Sequence, residues 1–293
     1  MSNPISRRRF LLNTIRYFLA LIGFSYGGYF YSRYLEPHRL EINQVTIQHK
    51  NIPKSFHGCK IVQFSDTHLG FQYNLEQLKK HIATINNLQP DIIFFTGDLM
   101  DKPNQYPFKK ELCNTLQQLK APYGKFAVYG NHDHGGYGTE IYLQMMKDAN
   151  FYVLRNQTAS VELEDGNKIY IAGIDDAMLG KPDIPRTLKG IPTNAFSILL
   201  SHAPDMADAA SAIGADIQLS GHSHGGQVKL PFYGPLVTPP YGRRYIEGQY
   251  LINKNAPLFL YVNRGLGTTR LPFRFLSVPE ITVFFLQSEQ RQK

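Results

Sequence analysis

Lys60-Ile61-Val62-Gln63-Phe64-Ser65-Asp66-Thr67-His68 is an apolar strand pattern that runs directly into a polar Asp-x-His cluster. Four further polar clusters follow in order, most of them directly after an apolar run: Gly97-Asp98, Gly130-Asn131-His132-Asp133, Ser201-His202 and Gly221-His222-Ser223-His224. Ligands of open α/β sheets collect at the carboxyl ends of the strands. The repeated pattern therefore predicts one polar site, built on loops at the ends of successive strands.

The wider pattern predicts an α/β domain with mixed sheets, because strands alternate with helices early and further strands follow. Asn74 is the expected N-cap of the first domain helix, and Pro90 follows the end of that helix. Asp165-Gly166-Asn167 predicts a hairpin between two alternating runs. We expect strands at 41–48, 60–64, 91–96, 125–129, 159–164, 168–174, 196–200, 216–219, 258–262 and 281–286, and helices at 75–88, 106–119, 139–149 and 205–213.

Length and composition favour one folded domain behind a short N-terminal segment. The chain has 293 residues, of which 43% are hydrophobic and 13% aromatic, so it can bury a sizeable core. The sequence contains no Gly/Ser tract, charge block or repeat that would indicate an internal linker. We therefore expect a separate segment at 1–35 and a single domain at 36–293.

The net charge of +8 is unevenly distributed. The first 35 residues hold five arginines and no acid, which leaves 26 of the 31 bases against 23 acids in the rest of the chain. A basic balance indicates nucleic-acid binding when it covers the folded domain, and here the domain carries only +3. We expect no nucleic acid as the main partner. A nuclease, which would need a basic groove, stays a third alternative.

The N-terminal stretch Ser6-Arg7-Arg8-Arg9-Phe10-Leu11-Leu12 resembles a twin-arginine export signal. The uncharged run at 17–32 would form a helix of roughly 24 Å, short of the ~30 Å hydrocarbon core of a bilayer. Length therefore favours an export signal or a short anchor over an ordinary membrane span. Because no small-x-small cleavage motif is evident, we expect a retained anchor, with the domain on the outer face of the bacterial cytoplasmic membrane or in the cell wall. A cleaved signal and a disordered basic tail are the alternatives.

The five polar clusters contain ligand types that hold divalent cations. Alone, Asp-x-His and Gly-Asp are common in turns, and the histidine of a lone Ser-His is usually hydrogen-bonded within the structure, whereas Gly-His-x-His already indicates a metal site. On an extended segment, Asp-x-His and His-x-His would each direct two side chains to one side. Together the clusters offer carboxylate, amide and imidazole ligands, which suit two manganese, zinc or iron ions that lower the pKa of a bridging water. The candidate ligands are Asp66, His68, Asp98, Asn131, His202, His222 and His224.

With these motifs in order, the chain resembles the calcineurin-like metallophosphoesterase superfamily over about residues 55–287. Within the superfamily, the chain resembles the membrane- or wall-associated members labelled YkuE-like and YaeI-like. The stretches that carry this are 129–136 (Tyr-Gly-Asn-His-Asp-His-Gly-Gly), 221–227 (Gly-His-Ser-His-Gly-Gly-Gln), 230–235 (Leu-Pro-Phe-Tyr-Gly-Pro) and 263–267 (Asn-Arg-Gly-Leu-Gly). The resemblance implies a four-layer αββα sandwich and a binuclear metal centre that hydrolyses phosphoester bonds.

The resemblance also implies a role for each site residue. The first metal ion would be held by Asp66, His68, Asp98 and His224, and the second by Asp98, Asn131, His202 and His222. Asp98 would bridge the two ions. His132 would bind no metal; it would face the phosphate, stabilise the developing charge and protonate the leaving oxygen. Asp101 would orient His132.

One departure from the superfamily narrows the expected substrate. The protein-phosphatase branch has an arginine directly after the second aspartate of Gly-Asp-x-x-Asp, whereas Lys102 follows Asp101 here. We therefore expect a phosphodiesterase and not a phosphoprotein phosphatase, and candidate substrates include phosphoesters linked to a lipid or a wall polymer. The alternatives are a pyrophosphatase acting on a UDP-linked lipid A precursor and a catalytically inactive scaffold.

Other polar residues are weaker candidates. His134 either lines the substrate pocket or caps the Gly-rich loop that follows it. One or two arginines of the C-terminal half are candidates for gripping a substrate phosphate; the five considered are Arg243, Arg244, Arg264, Arg270 and Arg274. His81 is expected on a helix surface. Cys59 and Cys113 are expected to be ordinary thiols, with one disulfide as the alternative.

Overall fold

The structure, a computed structural model, describes residues 6–134, 139–253 and 257–289. Within these residues the first sheet has six strands, which in spatial order are β1 (Glu41–His49), β14 (Glu280–Ser288), β2 (Lys60–Phe64), β3 (Ile92–Phe95), β4 (Lys125–Ala127) and β5 (Tyr152–Val153). β2 to β5 are parallel, and β14 lies between β1 and β2, antiparallel to β2. The carboxyl ends of β2, β3 and β4 therefore meet at one edge of the sheet.

The second sheet also has six strands among the described residues. In spatial order they are β12 (Gly248–Asn253), β13 (Pro257–Val262), β9 (Ile217–Ser220), β8 (Ser197–Leu200), β7 (Lys168–Gly173) and β6 (Gln157–Glu162). The four inner strands are parallel to one another, and each edge strand is antiparallel to its inner neighbour: β12 to β13, and β6 to β7. The β6–β7 pair is the predicted hairpin around Asp165-Gly166-Asn167.

The helices and a small ribbon complete the described fold. The helices are α1 (Arg7–Phe30), α2 (Leu75–Asn87), α3 (Lys109–Leu116), α4 (Asn131–His134), α5 (Thr139–Asp148), α6 (Ile184–Leu188) and α7 (Ala207–Ala212), and the ribbon pairs β10 (Lys229–Leu230) with β11 (Gly234–Pro235). α2 starts as predicted, because the Asn74 side chain accepts the N–H of Gln77 while the Gln77 side chain accepts the N–H of Asn74.

The layers follow from where the apolar side chains meet. Buried residues of the first sheet, such as Ile61 and Phe94, pack against Ile171 and Leu219 of the second, so the two sheets form one core between them. α2, α3 and α5 cover the outer face of the first sheet, where Leu78 and other helix residues join the buried cluster. α6 and α7 cover the second sheet from the other side. The predicted four-layer αββα sandwich is confirmed.

Element boundaries differ from the expectation in two kinds of place. The helix expected at 106–119 is reduced to α3, and the one expected at 205–213 divides into a 3₁₀ turn, Pro204–Met206, followed by α7. Edge strands β5 and β12, the ribbon and the short helices α4 and α6 were not predicted. These elements are short or lie at an edge, so tertiary contacts decide them more than local periodicity does.

The N-terminal segment forms α1, which contains no buried residue. A π-helical turn, Tyr31–Leu35, continues it and brings Glu36 into the domain, where the carboxylate accepts the N–H groups of Leu276 and Ser277. Among the described residues, no helix combines the length and apolar character that crossing a bilayer requires. The role of this segment in export stays a prediction.

Candidate metal centre

The loops after five strands bring the seven predicted ligands together. Asp66 follows β2, Asp98 follows β3 and Asn131 begins α4 after β4, while the histidine ligands follow β8 and β9. Six of the seven are at most 5% exposed, and Asn131 is partly buried. The site therefore lies where the carboxyl ends of strands from both sheets converge.

The first ligand group consists of Asp66, His68 and His224. The Nε2 atoms of His68 and His224 are 3.0 Å apart, and Nε2 of His224 is 3.4 Å from Oδ1 of Asp66. One atom from each of the three residues lies within 4.8 Å of the others. Two imidazole nitrogens and a carboxylate oxygen that converge in this way can hold one divalent cation.

The second group consists of Asp98, His202 and His222, whose ligand atoms again lie within 4.8 Å of one another. Nε2 of His202 is 3.3 Å from Oδ2 of Asp98 and 3.0 Å from Nδ1 of His222. The same Oδ2 atom is 3.4 Å from Nε2 of His68 in the first group. Asp98 thus stands between the groups, as a carboxylate that bridges two ions must.

The remote ring nitrogens and one amide oxygen test whether these residues suit metal ions. Nδ1 of His202 donates to the carbonyl of Thr96 at 2.6 Å, and Nε2 of His222 donates to the carbonyl of Pro240 at 2.8 Å. In the neutral form of each ring, this bond holds the proton on the remote nitrogen and leaves the other nitrogen as an acceptor directed at the centre, the arrangement typical of metal-ligating histidines. Oδ1 of Asn131 is buried with no hydrogen-bond partner among the described residues. The residues therefore fit a pair of divalent cations.

Electrostatics at the centre favour bound cations. Burial alone would raise the pKa of Asp98, but His202 and His132 hold it well below its ordinary value, so the carboxylate stays ionised. Burial lowers the pKa of His222 and His224, which keeps both rings in the neutral form that binds metal. Burial would lower the pKa of His202 too, but Asp98 and Asp66 raise it well above its usual value. Bound cations would compete with protons for Nε2 of His202, the nitrogen that faces the centre.

The backbone at the ligands differs from the extended geometry that we expected for Asp-x-His and His-x-His. Five ligands lie in the left-handed region, with φ of 50° at Asp66, 42° at His68, 61° at Asp98, 71° at His222 and 53° at His224. The expectation of an extended segment is therefore wrong. Positive φ, in place of strand alternation, accompanies the placement of these side chains: Asp66 and His68 join the first ligand group, whereas His224 joins the first group and His222 the second.

Close backbone approach at two glycines makes room for the carboxylates. A Cβ on Gly221 would lie 2.2 Å from Oδ2 of Asp66, and a Cβ on Gly130 would lie 2.2 Å from Oδ1 of Asp98. No side chain fits either position. The glycine of Gly-His-x-His and that of Gly-Asn-His therefore have a steric function that motif spacing alone does not explain.

His132 lies beside the ligands, with its Nδ1 bound to the main chain of Asp101. Nδ1 donates to the Asp101 carbonyl at 2.8 Å, whereas the Asp101 carboxylate oxygen is 3.6 Å away. Asp101 thus contacts His132 chiefly through its backbone carbonyl and not through its carboxylate, and its orienting role stays a prediction. His132 also forms a third group of potential ligands with His68 and Asp98. The catalytic role of His132 stays a prediction.

Several buried polar residues that support the site were not singled out by the sequence. The Asp133 carboxylate accepts the N–H groups of Asp98, Leu99 and Gly130, which ties two ligand loops together. Burial and the nearby Asp98 raise the pKa of Asp133 to about 7. A second set of hydrogen bonds runs from the Gln63 side chain through the hydroxyls of Thr96 and Ser65 to the Asp66 carboxylate. Apolar strand patterns with one polar residue, such as Gln63 in β2, are the signal that would have found it.

The weaker candidates lie in different places. His134 is stacked on Tyr129 and ion-paired with Asp175 at 2.5 Å, so it is held in the structure away from the cavity; Gly135 and Gly136 of the same motif lie outside the described residues. Arg274 is fully buried and donates to backbone carbonyls, including Gly267, so it is unable to reach substrate.

Two of the other arginines form ion pairs, and one lines the cavity. Arg264 pairs with Glu280 at 2.9 Å, and Arg244 pairs with Asp208. Arg270 lines the cavity in front of the metal ligands. His81 is partly buried and accepts the Tyr73 hydroxyl, which corrects its expected place on a helix surface. Both cysteines are free thiols.

A cavity of about 770 Å³ opens onto the ligands. His68, Asp98, Asn131, His132, His222 and His224 line its inner end. Its volume is that of a pocket for a sizeable organic ligand, and far exceeds what one phosphate group needs.

Comparisons with known proteins agree with the site. A protein-family model described as calcineurin-like phosphoesterase matches residues 59–226. The chain is 51% identical to YkuE, an uncharacterized metallophosphoesterase of Bacillus subtilis, over 97% of this chain and 98% of that one. It is 32% identical to an uncharacterized metallophosphoesterase of Aquifex aeolicus over 87% and 95%. It is 29% identical to LpxG of Chlamydia trachomatis, a UDP-2,3-diacylglucosamine pyrophosphatase, over 86% and 90%.

Proposed function

Since the chain belongs to the calcineurin-like phosphoesterase family and is a metal-dependent phosphoesterase, we propose that it is a phosphodiesterase with two metal ions at the centre described above. The observation that carries this proposal is the pair of ligand groups that share Asp98. Two divalent cations held there would supply an activated water and neutralise the charge that develops on the phosphate. Manganese, zinc and iron all suit the carboxylate, amide and imidazole ligands.

The residues beside the metal ligands would bind and orient the phosphate. His132 lines the cavity, and because its Nδ1 is bound to the Asp101 carbonyl, Nε2 is the nitrogen left to contact a phosphate oxygen. A proton on Nε2 would stabilise the developing charge and then pass to the leaving oxygen. Arg270, at the cavity wall, would contact a second phosphate oxygen. Lys102, in place of the arginine of protein phosphatases, favours a diester over a phosphoprotein.

The test is a substrate panel run on metal-stripped protein refilled with manganese or zinc. The panel compares a phosphodiester, a phosphomonoester, a lipid-linked pyrophosphate and a wall polymer. We expect the diester to be turned over fastest. His132→Ala should reduce kcat about 100-fold or more while it retains two metal ions per chain by elemental analysis. Metal-loaded protein that turns over no member of the panel would reject the proposal and favour an inactive scaffold.

A pyrophosphatase that acts on a UDP-linked lipid A precursor is the second candidate. The apolar walls of the cavity favour a lipid substrate, and the similarity to LpxG supports this reaction class. Both candidates would use the same metal centre, so the panel separates them by which bond is hydrolysed. Faster turnover of the lipid-linked pyrophosphate than of the diester would favour the second candidate.

We also propose that residues 1–35 direct export of the folded chain and then anchor it at the outer face of the membrane. The consecutive arginines at 7–9 and the exposed apolar side chains of α1, such as Phe18 and Phe24, support this location. The test is protease treatment of intact cells without their wall, together with the mass of the mature protein. Protection of the domain from external protease would overturn the location, and a mass that lacks residues 1–35 would overturn the anchor.

A further inference from the structure

The cavity in front of the metal ligands has two chemically different ends. The inner end carries the metal ligands and His132, while the rest of the wall is mostly apolar and includes Val237, Leu271 and Phe273. The loops at 228–239 and 269–275 provide one side of this apolar part. Polar side chains, among them Gln227 and Arg270, also line this part of the cavity, but most of its surface is apolar and therefore favours a hydrocarbon group.

Helix α1 and the turn that follows it provide another part of the wall. Phe24, Ser25, Gly28 and Tyr29 line the cavity, and their spacing places them on a single face of α1; Ser32, in the π-helical turn that follows, also lines it. Gly28 and Ser25 are small, so this wall leaves room beside the larger Phe24 and Tyr29. The helix that resembles an export signal is thus also part of the chamber above the metal centre.

The position of α1 is fixed by contacts with the domain. The ring of Tyr29 packs edge-on against Phe273 at 5.6 Å, and the ring of Tyr31 packs against Phe275 at 6.2 Å. The Arg274 N–H donates to the carbonyl of Ser32 at 2.9 Å. Together with the buried Glu36 carboxylate, these contacts hold the end of α1 beside the cavity.

We propose that the apolar part of this cavity binds the hydrocarbon tail of the substrate, with α1 as one wall of the binding site. The inference rests on the proposed function, because it places the phosphoester of the same molecule at the metal centre. The substrate is then a phosphoester of a long-chain, membrane-derived alcohol. Removal of α1 would open the chamber to solvent, so the enzyme needs this helix after export.

The experiment uses the full metal-loaded chain and a series of 4-nitrophenyl alkyl phosphodiesters with methyl, octyl and hexadecyl groups, each below its micelle concentration. The reacting bond is the same throughout, and only the tail differs. Each buried methylene can raise kcat/KM up to about fourfold. We therefore expect kcat/KM to rise at least tenfold from the methyl to the octyl ester.

Two glycines of α1 provide matched variants. A Cβ meets no atom within 4 Å at either Gly28 or Gly23, so both positions accept a side chain, but only Gly28 lines the cavity. Gly28→Leu would place its side chain in the chamber and reduce the ratio of octyl to methyl kcat/KM at least fivefold. Gly23→Leu adds the same apolar group to α1 outside the cavity, and we expect the wild-type ratio.

The outcomes separate this inference from the proposed function. Turnover of all esters with no dependence on tail length would overturn the tail site and leave the phosphodiesterase intact. An equal loss of the ratio in both glycine variants would also overturn it, because general membrane or micelle affinity of α1 would then explain the preference. Metal-loaded protein that turns over no ester would contradict the proposed function itself.

Discussion

Five of the seven candidate metal ligands occupy backbone conformations that most residues avoid. Asp66, His68, Asp98, His222 and His224 all have positive φ, and each such residue costs roughly 1–2 kcal/mol relative to an ordinary helical conformation. Aspartate tolerates this region better than β-branched residues do. Strain of this kind persists only where neighbouring groups impose it, and the fit of Gly221 against the Asp66 carboxylate is one such constraint.

Gly221→Ala should therefore reduce metal content. The new methyl group would meet Oδ2 of Asp66 and Oγ of Ser65, both at 2.2 Å, and displace the carboxylate from the first ligand group. We expect the variant to retain less than half of the metal found in the wild type, measured by elemental analysis after gel filtration. Gly27→Ala, where a Cβ meets no atom within 4 Å, is the control. Full metal content in Gly221→Ala would show that the loop relaxes.

Sequence reasoning at the scale of residues identified which side chains converge, but not how. Polar residues at strand ends were sufficient to predict Asp66, Asn131 and His202. The left-handed turns, the unpaired Asn131 oxygen and the three backbone bonds of Asp133 depend on loops that are distant in sequence. The sequence shows directly which side-chain types are present, whereas tertiary contacts determine the backbone geometry at these loops.

Among the elements, α2 carries a titratable contact apart from the metal centre. The Tyr73 hydroxyl donates to Nδ1 of His81 at 2.6 Å, and burial lowers the pKa of His81 to about 4. The unfolded chain takes up this proton near pH 6.5. Stability from the neutral ring is therefore complete above pH 6.5 and declines as the pH falls towards 4.

We expect His81→Gln to lose less stability than the wild type between pH 7 and pH 5. The contribution of His81 over the full window is at most about 3 kcal/mol, and about half of it should appear by pH 5. Urea unfolding at both pH values measures it. Because acid also protonates the metal ligands, the informative quantity is the difference between variant and wild type. Identical pH dependence in the two proteins would contradict the assigned His81 environment.

Element prediction succeeded where the pattern was long or the cap was explicit. β2 has the predicted bounds, and α2 begins at the predicted Asn74 cap. It failed for α4, whose four residues are too few to show helical periodicity. The Asp133 carboxylate stabilises this turn from within by accepting the Gly130 N–H, a contact that propensity does not describe.

At the scale of the whole molecule, metal ions should stabilise the fold, because the ligands come from both sheets. A ligand present at 100 times its Kd adds about 2.7 kcal/mol, which corresponds to roughly 5–10 °C in Tm for a domain of this size. Removal of metal with a chelator should lower Tm by this amount, and manganese should restore it. Asp98→Ala, which lacks the shared carboxylate, should show a much smaller response in the same thermal scans. An unchanged wild-type Tm would contradict ligation across the sheets.

The four layers were predictable from the sequence through its resemblance to a family, but the chamber beneath α1 was not. Its walls come from residues 24–32 and 228–275, which are far apart in the chain. A pattern within either segment gives no sign of the other. Contacts such as Tyr29 with Phe273 exist only once the domain has folded.

The position of β14 determines when this protein can acquire its fold during synthesis. Because β14 lies between β1 and β2, a ribosome must have made residues through Ser288 before those two strands gain their shared neighbour. Until then the nascent chain exposes two unpaired strand edges, which favour aggregation. The loop that carries Asp66 also depends on Leu266, because the Leu266 N–H donates to the Ser65 carbonyl. The complete first sheet and the loop that carries Asp66 therefore form only after β14 has been synthesised.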